Sequence, residues 1–373
     1  MDLAFTEEQN MLQASARSFL KKECPPSLLK DMREDEKGYP RQLWDRMIEL
    51  GWLGVMIPEE YGGIGGDFLD LCIILECMGE VCCPGPFFPT VVLGGTAIQS
   101  GGSEKQKNEF LPKLVNGELI LSLAITEAGA WYGASGITAK AREQDDTFII
   151  EGTKTFVENA HISDYILCVA KTDQDQGLSL FLVDGKNTDV RCTLLDTLAY
   201  DKQCEVIFDK VKVPASYMIG QKDKAGDLLL EIEEKAAVAK CAEMVGHMQS
   251  VFDMTLAYAK EREQFGRAIG SFQAVQHHCA NMKVDLDGAR FMTYQAAWKI
   301  ARGLTATKEA AMAKAWTSEA SKRVTMLGHQ IHGAVSFCEE HDLHLFYRKA
   351  KAGAVSFGDE DYHLEKIAEQ LGL

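Results

Sequence analysis

The spacing of apolar residues changes twice along this chain, and each change marks a switch between helix and strand. Before Gly117 and after Gly226, apolar residues recur every three or four positions, as between Met11 and Leu20. Between them lie short β-branched and aromatic runs separated by Gly- and Asp-rich turns. This order predicts a mainly α fold with an inserted antiparallel β-barrel or sandwich of about 100 residues. We expect an N-terminal helical domain at 1–117, a middle β domain at 118–226 and a C-terminal helical domain at 227–373.

The same patterns predict individual elements. Strand-type runs lie at 147–150, 155–157, 165–170, 178–183 and 204–213, after a short apolar run at 119–125. C-terminal helix patterns cover 235–261, 271–303, 305–331 and 360–371. Pro84, Pro86 and Pro89 predict an irregular segment before helix resumes near Leu93.

The net charge narrows the class of partner. A formal charge of −16 at pH 7 argues against nucleic acid and anionic membranes. No apolar run approaches the ~18 residues that a membrane span requires, so membrane insertion is not expected. An anionic small molecule stays compatible, because it needs only a local basic patch.

Cysteine usage and the first residues predict a compartment. The eleven cysteines include no Cys-x-x-Cys pair, and the acidic start Met1–Glu8 lacks the basic and then apolar plan of a signal peptide. We therefore expect a cytoplasmic protein with free thiols. His277–His278 and the pair His341 and His344 lack the spacing of metal ligands, so no metal site is expected.

One helical face carries an unusual charge pair. Ala236, Ala239, Lys240 and Glu243 are spaced by three and four, so they share one face of the helix predicted at 235–261. Burying a charge is unfavourable in free energy unless the charge is paired with an opposite charge. A charge without such a partner is therefore expected where the chemistry of the protein needs it. Two interpretations are open: an ion pair between Lys240 and Glu243, or a pocket whose chemistry needs a carboxylate.

Two further stretches have the composition of anion sites. Arg262 follows the long helix and precedes Gly266, so it either holds a phosphate or lies exposed at a capped helix end. The glycine-dense stretch 58–66 lacks the lysine and serine that end a phosphate-binding loop, and we expect a flexible connector there.

Five short motifs, in this order, resemble the acyl-CoA dehydrogenase family over essentially the whole chain. They are Leu50–Gly54 with Ile57–Gly63, Ile125–Glu127 with Gly129–Ala130, Glu261–Arg267, Gln330–Gly333, and Tyr347–Lys351. The resemblance implies an N-terminal helical domain, a middle β domain and a C-terminal four-helix bundle. It also implies FAD as cofactor, an acyl-CoA substrate, and electron transfer to an electron-transfer flavoprotein. A homotetramer, or a heterotetramer with a sister subunit, is the expected assembly.

The resemblance also implies roles for individual residues. Ile125 and Thr126 would lie against the flavin ring, and Phe156 stands where the family usually has a tryptophan beside it. Arg262, Gln264 and Phe265 would contact the FAD of a neighbouring subunit, with Arg262 at its pyrophosphate. Gln330 and Gly333 would line the adenosine end of the cofactor. Lys240, Phe357 and Gly358 are expected at the substrate.

Several positions depart from the family pattern. Tyr132 replaces a serine that helps to bind cofactor and CoA, and Glu158 replaces a threonine that touches the flavin. Phe357 occupies the position of the catalytic glutamate, and it cannot accept a proton. The position that carries the base in some relatives is Ala236. Glu243 remains the candidate base, although it lies ~10 Å further along the helix axis than Ala236.

Three interpretations follow from these departures. The chain is a dehydrogenase with a rearranged pocket in which Glu243 or another carboxylate is the base, or it resembles the base-lacking small subunits of heteromeric acyl-CoA dehydrogenases. The third interpretation is different chemistry on a CoA thioester, without removal of an α proton. For Lys240 we consider two roles: it pairs with the distal carboxylate of a dicarboxylyl group, or it shortens the acyl channel through an ion pair with Glu243.

Overall fold

The computed structural model describes residues 4–129, 132–133, 136–172 and 177–373, and it confirms the order helices, strands, helices. Its α-helices are α1 (Glu7–Glu23), α2 (Pro26–Glu34), α3 (Arg41–Glu49), α4 (Phe68–Glu80), α5 (Thr96–Gly101), α6 (Glu104–Val115), α7 (Gly226–Glu261), α8 (Gln273–Ala301), α9 (Thr307–His332), α10 (Leu343–Val355) and α11 (Glu360–Leu371). No helix within the described ranges has both the length and the apolar composition to cross a membrane.

Local sequence signals explain where several helices begin. The Thr6 hydroxyl accepts a hydrogen bond from the backbone N–H of Gln9 while the Gln9 side chain accepts from Thr6 N–H, which forms a capping box. Ser103 and Gln106 repeat this arrangement at α6. The Asp359 carboxylate caps α11 by accepting from the N–H of Tyr362.

The proline-rich segment differs from its prediction. A π-helix covers Phe88–Gly95 and continues directly into α5, so helical structure begins before Leu93. Pro89 lies in its first turn, where the missing N–H removes no helical hydrogen bond. The expectation that no regular element persists there is therefore wrong.

The inserted β region is a mixed sheet. Its strands are β1 (Leu121–Ala124), β2 (Lys140–Gln144), β3 (Thr147–Glu158), β4 (Tyr165–Thr172), β5 (Leu178–Asp184), β6 (Val190–Leu194), β7 (Gln203–Pro214) and β8 (Met218–Ile219). They follow the order β6-β7-β3-β2-β4-β5-β8, with β1 beside β4. Most pairings are antiparallel as predicted, but β1 and β2 both run parallel to β4. Long connections separate these partners, which makes parallel pairing accessible.

Some boundaries also differ from the predictions. The runs predicted at 147–150 and 155–157 belong to one strand, β3, which is interrupted by register shifts against β7. α7 begins at Gly226 rather than near residue 235, and β2, β6 and α10 were not predicted. A two-residue hairpin, β9 (Glu263–Gln264) and β10 (Arg267–Ala268), follows α7.

The chain divides into two compact units. One contains the N-terminal residues up to Lys30, residues 68–83 and residues 237–373, and its core includes Met248, Leu286 and Val324 from α7, α8 and α9. The other contains residues 31–67 and 84–236. The core of its sheet is formed by apolar side chains such as Phe148 and Phe181.

Candidate functional site

Lys240 and Glu243 contact each other on one face of α7. Lys240 Nζ donates to Glu243 Oε2 at 2.6 Å, and the side chains are only 11% and 18% exposed. The predicted ion pair is therefore confirmed. Ala236 and Ala239 on the same face are fully buried.

The surroundings of Glu243 keep its carboxylate ionised. Burial alone would raise the pKa of Glu243, but the Lys240 ammonium group, together with His247 and Lys349, lowers that pKa to about 2. A general base works best when its pKa lies near the operating pH. The ion pair thus makes Glu243 a charged but weakly basic group at neutral pH.

The backbone at Glu243 is fixed by a close helix crossing. A Cβ atom at Gly79 of α4 would overlap the backbone carbonyl of Glu243, and a Cβ at Gly246 of α7 would overlap that of Glu76. Glycine at both positions lets the two helices approach closely. This contact locks the α7 face that carries the ion pair.

The segment at the family's usual base position is also tightly held. Phe357 is half-buried with a φ of +56°, and Gly358 is buried with a φ of +98°. The Phe357 carbonyl accepts from His363 Nε2 at 2.8 Å, and the Gly358 carbonyl accepts from Lys314 Nζ at 2.7 Å. Both carbonyls of this segment are therefore held by buried side chains.

A second group of predicted residues lies together at one edge of the sheet. The Thr126 carbonyl accepts from the N–H of Thr155 at 2.9 Å, which places Thr126 beside Phe156. Thr126 is exposed, Ile125 is half-buried, and the Phe156 ring is 62% exposed at a left-handed position of β3. The structure therefore brings together three residues that the sequence associated with one ring-binding surface.

A buried ion pair that we did not predict supports this edge. Lys154 Nζ donates to Glu127 Oε1 at 2.7 Å and to the Ile125 carbonyl at 3.1 Å. Glu127 also accepts from the hydroxyl of Thr138 and from backbone N–H groups. Although burial alone would raise the pKa of Glu127, its hydrogen bonds from Lys154 and Thr138 lower it below the ordinary value. The available sequence signal was a lysine directly before the strand-type run predicted at 155–157.

Two of the residues that depart from the family pattern, Glu158 and Tyr132, are close in sequence to Phe156 and Thr126. Glu158 ends β3, is half-buried, and its carbonyl accepts from the Ser122 hydroxyl. Tyr132 is half-buried. Ala130 and Trp131, which belong to the same family stretch, lie outside the described residues.

A third group lies at the C-terminal ends of α7 and α9. Arg262, Gln264 and Phe265 are exposed, and Phe265 projects from the hairpin with 92% of its surface accessible. At the end of α9, Gln330 and Gly333 are exposed as well. His332 stacks on Tyr258 with ring centroids 4.4 Å apart, and Tyr258 lies one turn before Arg262. The two helix ends therefore meet.

Each of these groups by itself has side chains suited to a part of the FAD that the resemblance implies. Phe156, beside the exposed Thr126, offers an apolar surface with a hydroxyl group to a planar ring system. At Gly333, with a φ of +68°, a Cβ would meet no atom within 4 Å, so its backbone is open to a ligand. Arg262 supplies a guanidinium group of the kind that binds phosphates.

A metal-dependent site has no comparable support. Among the residues that the structure describes, no group of three or more His, Cys, Asp or Glu side chains is arranged to hold a metal ion. All eleven cysteines are free thiols.

Comparison with known proteins adds three family models that together span nearly the whole chain. They describe the N-terminal, middle and C-terminal domains of acyl-CoA dehydrogenases and match residues 6–118, 122–211 and 234–372. A probable acyl-CoA dehydrogenase of Bacillus subtilis, YngJ, is 33% identical, with all of both chains covered. The caffeyl-CoA reductase–Etf complex subunit CarC of Acetobacterium woodii is 30% identical over 98% of this chain and 99% of that protein.

Solved structures also match this chain over its whole length. Butyryl-CoA dehydrogenase from Megasphaera elsdenii matches with a TM-score of 0.93 and 28% identity over all of both chains. The ChsE4–ChsE5 complex from Mycobacterium tuberculosis matches with a TM-score of 0.91 and 28% identity over 100% of this chain and 99% of that one. The chain belongs to the acyl-CoA dehydrogenase family of FAD-dependent flavoproteins, oxidoreductases that act on CH–CH bonds of acyl-CoA thioesters.

Proposed function

We propose that this protein carries out FAD-dependent α,β-dehydrogenation of an acyl-CoA thioester and passes the electrons to an electron-transfer flavoprotein. The observation that carries the proposal is the exposed pair Thr126 and Phe156 at the edge of the sheet. The buried ion pair of Lys154 with Glu127 stabilises this edge. The name of the relative CarC, a subunit of a complex with Etf, supports the choice of electron acceptor.

In this proposal the described residues have distinct tasks. Ile125, Thr126, Phe156 and Glu158 hold the flavin ring, while Arg262, Gln264 and Phe265 contact the FAD of a neighbouring subunit. Gln330 and Gly333 line the adenosine end, and Lys240, Phe357 and Gly358 contact the substrate. Bound FAD supplies the acceptor for the two electrons.

The catalytic base distinguishes two versions of the proposal. In the first, Glu243 takes the α proton, which requires that substrate binding weakens its ion pair with Lys240. In the second, the chain is a base-lacking small subunit and a sister chain supplies the base. The second version is favoured by the 2.6 Å ion pair, by the pKa of about 2 for Glu243, and by Phe357 at the usual base position. The similarity to a ChsE4–ChsE5 complex is compatible with a heteromer.

Lys240 is the basis for the proposed acyl group, and the cysteines are the basis for the proposed location. Lys240 lies next to Glu243 rather than alone, so a distal substrate carboxylate would compete with Glu243 for the ammonium group. We propose a dicarboxylyl-CoA whose distal carboxylate displaces Glu243 from the Lys240 ammonium group, and the alternative is a monocarboxylyl group beside the intact ion pair. Free thiols throughout the chain support a reducing compartment such as the cytoplasm.

Purification of the chain alone and together with a sister subunit tests these proposals. A yellow protein whose flavin bleaches anaerobically on addition of an acyl-CoA supports the first version. A protein that gains flavin or bleaches only beside a base-containing sister chain supports the second. A colourless preparation under both conditions, with no binding of acyl-CoA, contradicts the proposed function.

A further inference from the structure

Lys314 is a fully buried lysine whose hydrogen-bond acceptors, among the described residues, are all uncharged. On α9, Lys314 Nζ donates to the Ser318 hydroxyl at 3.0 Å and to the carbonyls of Gly358 at 2.7 Å and Ala354 at 3.2 Å. Burial of an ammonium group costs free energy that neutral acceptors offset only in part. The positions of the three acceptors therefore show which part of the chain Lys314 holds in place.

Two of the three acceptors bracket the segment that carries Phe357. Ala354 lies near the end of α10, and Gly358 directly follows Phe357. Ser318 reinforces the same point, because its hydroxyl also contacts the Ala354 carbonyl at 3.4 Å. The ammonium group therefore ties both ends of this turn to α9.

The turn needs such support because its backbone is strained. Phe357 adopts a left-handed backbone conformation, which is unfavourable for residues that carry a side chain. At Gly358 a Cβ would overlap the rings of Tyr362 and His363, so α11 packs directly against the turn. Strained conformations persist only where the surrounding contacts over-determine them.

Charged and titratable groups face Lys314 from each neighbouring element. They are Cys241 and Lys240 on α7, Lys322 on α9 itself, Asp359 in the turn and His363 on α11. Burial lowers the pKa of Lys314 to about 8. The group is mostly protonated at neutral pH, when its hydrogen bonds are charge-assisted and therefore strong.

We propose that Lys314 is a positioning residue that holds the Phe357–Gly358 turn, and through it the Phe357 ring, in place against the acyl group of the substrate. The contact between Phe357 and the acyl group rests on the proposed function. The hold of Lys314 on the turn rests on the hydrogen bonds alone. Two measurements separate these parts.

The first measurement is hydrogen exchange of the backbone amides at 354–363 in the FAD-loaded protein. Lys314→Met retains the volume of the side chain and removes its donors, so we expect exchange there to rise about tenfold. The exposed lysine on the same helix, replaced in Lys308→Met, is the control and should leave exchange unchanged. Unchanged exchange in a folded Lys314→Met protein overturns the proposal, whether or not the protein binds acyl-CoA.

The second measurement compares the Kd of an acyl-CoA with the Kd of free CoA. We expect Lys314→Met to raise the Kd of the acyl-CoA about tenfold relative to the Kd of free CoA, because only the acyl part contacts Phe357. A purely structural lysine would lower Tm and leave the ratio unchanged, which overturns its positioning role. Wild-type protein that binds no acyl-CoA contradicts the proposed function instead.

A milder variant covers the case in which Lys314→Met does not fold. Ser318→Ala removes one acceptor of Lys314 and one contact to Ala354. We expect the same two effects at about threefold. A folded Ser318→Ala protein that changes neither the exchange at 354–363 nor the Kd ratio overturns the proposal.

Discussion

The Lys240 ammonium and the Glu243 carboxylate lie 2.6 Å apart on one face of α7, and this pairing lowers the pKa of Glu243. Glu243 remains ionised down to very low pH because its pKa is lowered to about 2. A carboxylate in that state binds protons weakly. The origin of the catalytic base is therefore the central question about this chain.

Replacing Glu243 with glutamine tests it as the base. If Glu243 removes the α proton, Glu243→Gln slows anaerobic flavin reduction by acyl-CoA about 100- to 10,000-fold. Stopped-flow absorbance measures that rate, and Glu234→Gln on the same helix is the matched control. An unchanged rate excludes Glu243 and leaves another carboxylate of this chain or the sister subunit as the source of the base.

Placing a carboxylate at position 357 tests the same question from the other side. We expect Phe357→Glu to confer or increase flavin reduction by acyl-CoA in the chain purified alone, because it restores a base where the family usually has one. Phe357→Gln, which has the same size without the charge, should show no gain. Equal behaviour of both variants would indicate that the substrate does not reach this position.

The aromatic ring at Phe156 is expected to matter for cofactor binding and not for folding. Phe156→Ala should weaken FAD binding about tenfold, because the ring supplies apolar area to the flavin. Thermal stability of the apoprotein should hardly change, since 62% of the side chain is exposed. Leu194→Ala, at another exposed apolar side chain of the sheet, should leave FAD affinity intact.

Removing Lys154 is expected to destabilise the sheet edge strongly. Lys154→Met leaves the buried carboxylate of Glu127 without its cation, at a cost of about 3–5 kcal/mol in the free energy of unfolding. Urea denaturation measures the loss. The double variant Lys154→Met/Glu127→Gln should recover much of it, because no uncompensated charge remains. Additive losses in the double variant would show that the pair is not coupled.

His363 is expected to make folding sensitive to mild acid. Its Nε2 donates to the Phe357 carbonyl while Nδ1 is buried without a hydrogen-bond partner in the described structure, and burial lowers the pKa of His363 from 6.5 to about 4. The unfolded chain binds the proton first, so stability from this group is present above pH 6.5 and is lost as pH falls to about 4.

Unfolding free energies measured from pH 7 to pH 4 check this expectation. The wild type should lose more stability over that range than His363→Gln does. His277→Gln, at an exposed histidine, serves as the control and should follow the wild type. Parallel curves for wild type and His363→Gln would contradict a buried neutral imidazole.

Features that depend on neighbours in the sequence were accessible before the structure. The order helices, strands, helices follows from hydrophobic spacing, and α11 was predicted at its observed bounds. The ion pair of Lys240 with Glu243 was also foreseeable, since residues three apart on a helix always face the same side. The motifs of the family extend in order along the chain.

Only the tertiary structure decided which distant groups pair with the buried lysines Lys154 and Lys314. Lys154 meets Glu127 across 27 positions, and Lys314 meets Gly358 across 44. The parallel pairing of β1 with β4 and the left-handed turn at Phe357 depend on the same long-range packing. Hydrophobic periodicity identifies the face of each element, but the partner of that face is set by how distant segments fill the core. The sequence by itself therefore determined the family resemblance, the order of helices and strands and the pairing of Lys240 with Glu243, whereas packing determined which distant groups meet.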